Sequence, residues 1–163
     1  MGTAEVRTRQ YATLAYSHGS GAEVAGATYA YAVLPGADLS RTKDEAQRGT
    51  VTVLRNDATA QAVGHQGGVT AANFWKPGTV GDFTASSSLC LIARTNNGIA
   101  RISVSDPTQA QSTVTLVVAN SPARRVRGAD ASRVSLARSG SFVTLTIDVS
   151  ESGGRTVEFA LHR

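Results

Sequence analysis

"SLCLIARTNNGIARISVS", residues 88–105, reads as a β-hairpin. Two apolar runs, SLCLIAR and IARISVS, flank TNNG, and Asn97-Gly98 is the strongest two-residue turn signal in the chain. Both central residues of such a turn need positive φ, which Asn and Gly reach at little cost. Working outward, the same pattern recurs. TVTVLRN (50–56) alternates and ends at the turn-prone NDAT, and AQAVGH (60–65) runs into QGGV. NFW and GDFTAS stand on either side of the breaker KPG. STVTLVVA, RRVRGA, SRVSLAR, SFVTLTIDVS and RTVEFALH follow, separated by Asp-Pro, Ser-Pro, Ser-Gly and Gly-Gly steps. Short strands at this spacing predict an all-β domain, an antiparallel β-sandwich with one short connector helix.

The connector is ADLSRTKDEAQRG (37–49). It has polar helix formers, Thr42 with Glu45 three residues on as a capping box, and Gly49 as the stop. It is too polar for a core helix and reads as a surface element. Before it, EVRTRQYATLAY (5–16) and TYAYAVL (28–34) also read as strands. TYAYAVL places Tyr29, Tyr31 and Val33 on one face, Ala30, Ala32 and Leu34 on the other. Two apolar faces predict a strand covered on both sides.

With 163 residues, 41% hydrophobic and 17% charged, the composition is that of a folded domain. The net charge of +4 is unevenly placed. Residues 1–93 are neutral, with seven basic and seven acidic side chains, while residues 94–163 carry nine arginines against five carboxylates. Attraction to a polyanion therefore belongs to the C-terminal half. Cys90, the single cysteine, excludes an intrachain disulfide and reads as a small buried hydrophobe. No segment holds the roughly 18 apolar residues of a membrane span, so no membrane partner is expected. The opening MGTAEVRTRQ lacks a signal-peptide core, which for a secreted protein would make this chain a mature piece.

Histidines are the first catalytic candidates, but His18, His65 and His162 lie on separate segments with no second ligand at metal-binding spacing. Turn or strand-end roles are the simpler reading of all three. Ser20 stands directly between Gly19 and Gly21 without the spacing of a nucleophile elbow. Asp44, Glu45, Asp148 and Glu151 read as solvated charges, and GHQGGV lacks the Lys-Ser/Thr and helix of a phosphate loop. No metal, no cofactor and no catalytic residue is expected.

Two features suggest binding. In SPARRVRG, Arg124, Arg125 and Arg127 lie close together, with Arg133 and Arg138 following. In a strand Arg125 and Arg127 share a face and Arg124 takes the other. Guanidinium forks match carboxylate and sulfate, so this is a candidate substrate-binding face for an acidic polysaccharide; the alternative is a charged edge strand that blocks aggregation. Trp75, in NFWKPG, is a candidate sugar platform, with a loop anchor beside Phe74 as the alternative. A nucleic-acid partner is not expected, because few aromatics accompany the basic residues.

The ordered motifs HG (18–19), YAYAVLPGA (29–37), VLRNDATAQAV (53–63), ANFW (72–75) and VSDPTQ (104–109) resemble the end of the family 8 polysaccharide lyases. The resemblance covers about residues 10–120. It implies β-elimination on hyaluronan, chondroitin or xanthan by a secreted, extracellular bacterial parent enzyme. In that family a helical domain carries the catalytic Asn, His, Tyr and Arg. No position here matches those motifs, so the expected role is a non-catalytic C-terminal β portion whose partner is that helical domain. The resemblance divides the chain into terminal strands of a central β domain (1–37), the connector helix (38–49) and a C-terminal β-sandwich (50–163). The edges of residues 1–35 would then pair with the C-terminal sheet or self-associate with another copy.

Overall fold

The computed structural model describes residue 15 and residues 17–163. The chain divides into two compact units, residues 1–31 and 32–163. The EVRTRQYATLAY segment lies almost wholly outside the described residues. The described part of the first unit contains a 3-10 turn, Gly21–Val24, and two close aromatic pairs. The rings of His18 and Tyr29 are 6.1 Å apart, and those of Tyr29 and Tyr31 stack at 6.2 Å. TYAYAVL is not a strand. Its residues join no ladder among the described residues, and Tyr31 is 80% exposed, Val33 nearly as much. A β pattern becomes a strand only where another edge accepts its hydrogen bonds.

The second unit opens with α1, Leu39–Arg48, none of whose residues is buried. The expected helix is present, but its cap differs. Asp38 is the N-cap, accepting the Arg41 N–H at 2.8 Å, and the Thr42 hydroxyl donates to the Asp38 carbonyl. Glu45 instead accepts from the Thr50 hydroxyl. An aspartate at the true cap position takes the orphan N–H first, so the Thr42–Glu45 capping box does not form.

Twelve strands follow: β1 Val51–Asn56, β2 Ala60–His65, β3 Val69–Phe74, β4 Gly78–Val80, β5 Phe83–Ala85, β6 Leu89–Asn96, β7 Ile99–Ser105, β8 Thr113–Val118, β9 Arg125–Arg127, β10 Val134–Ser139, β11 Phe142–Asp148 and β12 Val157–His162. They form an antiparallel β-sandwich of two sheets. The larger has the order β1-β2-β3-β6-β7-β12-β9, the smaller β10-β11-β8-β5-β4. Alternate residues meet between the sheets: Leu89, Leu91 and Ala93 from β6, Ile102 and Val104 from β7, and Phe159 and Leu161 from β12. Leu116, Leu145 and Ile147 face them from the smaller sheet. Full burial of each such side chain contributes about 1.5–3 kcal/mol, which fixes strand register, since a one-residue slip would expose the whole set.

Candidate functional site

The basic face is built by one hairpin register. Asn97 and Gly98 have φ of 49° and 74°, the double positive of a tight two-residue turn. That turn sets Asn96 opposite Ile99, Thr95 opposite Ala100, and Arg94 opposite Arg101. Leu91 and Ala93 are buried, so alternation turns Ile92 and Arg94 outward; on β7 the same logic turns Arg101 and Ser103 outward.

The row continues across the sheet. Arg101 pairs with Ala160 of β12, and Ala160 with Arg127 of the edge strand β9. In the next outward row His162 pairs with Arg125. Arg94, Arg101, Arg125 and Arg127 are all exposed. Strands lie about 4.8 Å apart, so Arg101 and Arg127 start about 10 Å from each other, and Arg125 about 7 Å along the strand from Arg127. Among the described residues none of the four forms an ion pair with an Asp or Glu side chain; the side-chain ion pairs present are Arg55–Asp57 and Arg155–Asp130. Arg125, Arg127, His162 and Arg163 line a groove of about 520 Å³ with Asn97, Gly98 and Ile99. An Arg125 N–H reaches the Arg163 main-chain oxygen at 3.1 Å.

The sequence pointed to only part of this face. Arg125 and Arg127 project together, as alternation requires, on a strand that is indeed an edge. Arg124 precedes β9 and ties it to β12, its N–H donating to the His162 carbonyl at 2.7 Å. Arg133 and Arg138 do not join the face. Arg133 donates to the carbonyls of Asp148 and Ser150, and Arg138 to that of Gly140. Arg94, Arg101 and His162 were missed, although the two-residue turn already implied the Arg94–Arg101 pairing.

Trp75 is elsewhere. It follows Phe74, which pairs with Leu89 at the opposite end of β6 from Asn97. Seven residue steps of strand, roughly 23 Å, separate it from the basic groove. Phe74 is the anchor, fully buried, while Trp75 is 47% exposed. Cys90 is also placed differently from expectation. It faces outward, half-buried, in a second groove of about 500 Å³ with Asn73, Ile92 and Ser105, because the inward positions beside it belong to Leu89 and Leu91.

With this geometry in hand, three similarities agree. Residues 52–115 match the family model of the polysaccharide lyase family 8 C-terminal beta-sandwich domain. The chain is 36% identical over 150 residues to a hyaluronate lyase of Thermasporomyces composti, covering 91% of this chain and 19% of that protein. It is 33% identical to hyaluronate lyase HylB of Cutibacterium acnes, over 99% of this chain and 20% of the relative. The Streptomyces coelicolor A3 chondroitin AC lyase, solved with chondroitin sulphate, superposes with a TM-score of 0.67 at 30% identity, and Paenibacillus xanthan lyase with 0.70 at 29%. Each structure covers 78% of this chain, which in turn covers 17% and 12% of theirs. The chain belongs to polysaccharide lyase family 8, as its C-terminal β-sandwich domain. It spans about a fifth of the length of the hyaluronate lyases it matches.

Within this lyase domain the family-matched stretch includes Arg94 and Arg101 but ends before β9 and β12. It also includes Asp106, 1% exposed, in the VSDPTQ motif. Burial alone would push this carboxyl up. Bonds from the Gln111 and Thr108 main chains and side chains, with the Ala110 N–H, outweigh burial and hold it well below the usual carboxylate range. Asp57 is lowered to about 2, first by the Arg55 side chain and then by the Ala60 and Thr59 N–H groups. The Ser150 hydroxyl and N–H lower Asp148 in the same way. His65 accepts the Gly67 N–H on Nδ1 at 2.9 Å. Each of these groups serves a turn.

Proposed function

We propose that this chain is a non-catalytic C-terminal part of an extracellular lyase that cleaves an acidic polysaccharide by β-elimination. It supports the catalytic helical domain and lends its arginines to the polymer. The observation that carries the non-catalytic reading is how the carboxylates are used. β-Elimination needs a proton acceptor poised near the working pH, a proton donor, and neutralisation of the uronate carboxylate. Asp57 is instead held as an anion by the Arg55 side chain and turn N–H groups, and Asp106 and Asp148 by turn N–H groups and side-chain donors, which makes them poor acceptors. The relatives' names, lyases for hyaluronate, chondroitin and xanthan, support the substrate class.

Incubation with hyaluronan, chondroitin sulfate and xanthan, followed by ultraviolet absorbance of the unsaturated product, tests the reading. No rise is expected from the chain alone, and turnover would overturn it. A second reading, favoured by the exposed Arg125 and Arg127 with no Asp or Glu partner among the described residues, is a free-standing carbohydrate-binding module for anionic polysaccharides. Salt-sensitive binding without effect on the activity of an added helical domain would select it. Light scattering of the chain tests self-association through its strand edges.

A further inference from the structure

We propose that the polymer-binding surface is a four-strand basic face, with the cross-strand pair Arg94 and Arg101 at its β6–β7 end, and that it takes an extended acidic polysaccharide lying across β6, β7, β12 and β9. This rests on the reading above that the chain serves such a polymer. It extends that reading from the β9 edge, where sequence placed it, to residues on three further strands.

Three observations lead there. Arg94 and Arg101 stand directly opposite each other, an arrangement of like charges that costs a sheet stability. No carboxylate among the described residues forms an ion pair with either arginine, and Glu158, the outward acid of β12, sits one row away opposite Ser103. A folding role therefore does not explain the pair, whereas an anion from outside does.

The row Arg94–Arg101–Ala160–Arg127 also gives the face its direction. It runs perpendicular to the strands, with the small Ala160 between two arginines and a gap of about 10 Å from Arg101 to Arg127. Arg125 and His162 extend it in the next row, and the Arg163 side chain lies over the turn, 3.8 Å from where a Cβ of Gly98 would stand. Spaced guanidinium forks suit a polymer that presents separate carboxylate or sulfate groups, each held bidentately.

The lining also argues against nucleic acid. Asn97, Gly98, Ile99, Arg125, Arg127, His162 and Arg163 include no Phe, Tyr or Trp, so bases find no stacking platform of the kind single strands use.

Isothermal titration of the chain with chondroitin sulfate and hyaluronan oligosaccharides, at low and at physiological salt, tests the face. Arg94→Gln/Arg101→Gln should weaken binding about tenfold, as should Arg125→Gln/Arg127→Gln, and raised salt should shrink both effects. Arg41→Gln/Arg48→Gln on α1 should change nothing. Thermal melts of each variant exclude misfolding as the cause. If only the β9 pair matters, the four-strand face is overturned while the proposed function stands. Equal affinity for duplex DNA of matched charge would overturn the polysaccharide as occupant. No binding of any polyanion at low salt would overturn the face altogether, leaving the support role to the product assay.

Discussion

Arg94 and Arg101 face each other across the β6–β7 ladder with no carboxylate in ion-pair range among the described residues. Like charges directly opposite in an antiparallel pair repel, so one reversal should relieve the sheet. Arg101→Glu is expected to raise stability by about 0.2–1 kcal/mol, read as a higher urea midpoint with an unchanged slope. The same variant should bind chondroitin sulfate more weakly than wild type. Opposite signs in the two assays are the signature of a residue kept for binding; a fall in stability would show that Arg101 supports the fold instead.

Asp106 gives a pH prediction with a definite sign. Its folded-state carboxyl is held below the ordinary 3.8 of an unfolded aspartate, so its ionised form stabilises the native state. That contribution is complete above about pH 5 and is lost as pH falls below about 4 toward the folded value. Asp57, lowered to about 2, acts in the same direction between about pH 4 and 2. Asp106→Asn should lower stability near neutrality by about 3 kcal/mol, since it leaves part of a buried bond network unmade. Its melting temperature should also fall less steeply than wild type's on acidification from pH 5. Parallel acid limbs for the two proteins would contradict the assignment.

The sandwich was legible in the sequence wherever apolar alternation and a turn dipeptide coincided, as at Leu89–Ser105. There one feature decides turn type, register and which residues point inward. Tyr29 and Tyr31 show the opposite case: alternation without a partner edge among the described residues does not make a strand, and no pattern within seven residues says whether an edge exists. The basic face was half legible. Arg125 and Arg127 are neighbours in sequence, but Arg94 and Arg101 become their neighbours only through the β7–β12–β9 order, a long-range pairing that local patterns do not encode. Cys90 misled because an apolar run is read as buried on both faces, whereas β6 buries only Leu89, Leu91 and Ala93.

Two glycines with positive φ separate backbone strain from a clash. Gly98 has φ of 74°, but a Cβ there would meet nothing nearer than the Arg163 guanidinium, at 3.8 Å. Gly98→Ala should cost only the left-handed backbone, about 1–2 kcal/mol. Gly68 has φ of 73°, and its Cβ would lie 2.5 Å from the Thr95 carbonyl oxygen. Thr95 in turn donates its N–H to the Gly68 carbonyl at 2.9 Å, tying the β2–β3 turn to β6 beside Arg94. Gly68→Ala should therefore cost about 3 kcal/mol or more and also weaken polyanion binding by shifting β6. Equal denaturation midpoints for the two variants would refute this account of Gly68.

Trp75, the single tryptophan, reports on how far a bound polymer reaches. It is 47% exposed at the end of β3, roughly 17 Å of strand from the Arg94–Arg101 row. A short oligosaccharide seated across β6, β7, β12 and β9 does not span that distance. Titration with such an oligosaccharide should leave tryptophan emission unchanged, and Trp75→Ala should keep its affinity within about twofold. Only a polymer long enough to turn along the strands beyond β6 would reach the ring, so emission should shift only above a threshold length and Trp75→Ala should weaken only that longer ligand. Stacking on an exposed indole contributes enough to register in such a series. If instead Trp75→Ala weakens the shortest oligosaccharide as strongly as Arg94→Gln/Arg101→Gln does, the sugar sits at the Phe74 end of the sheet, and the arginines act on it only through long-range charge.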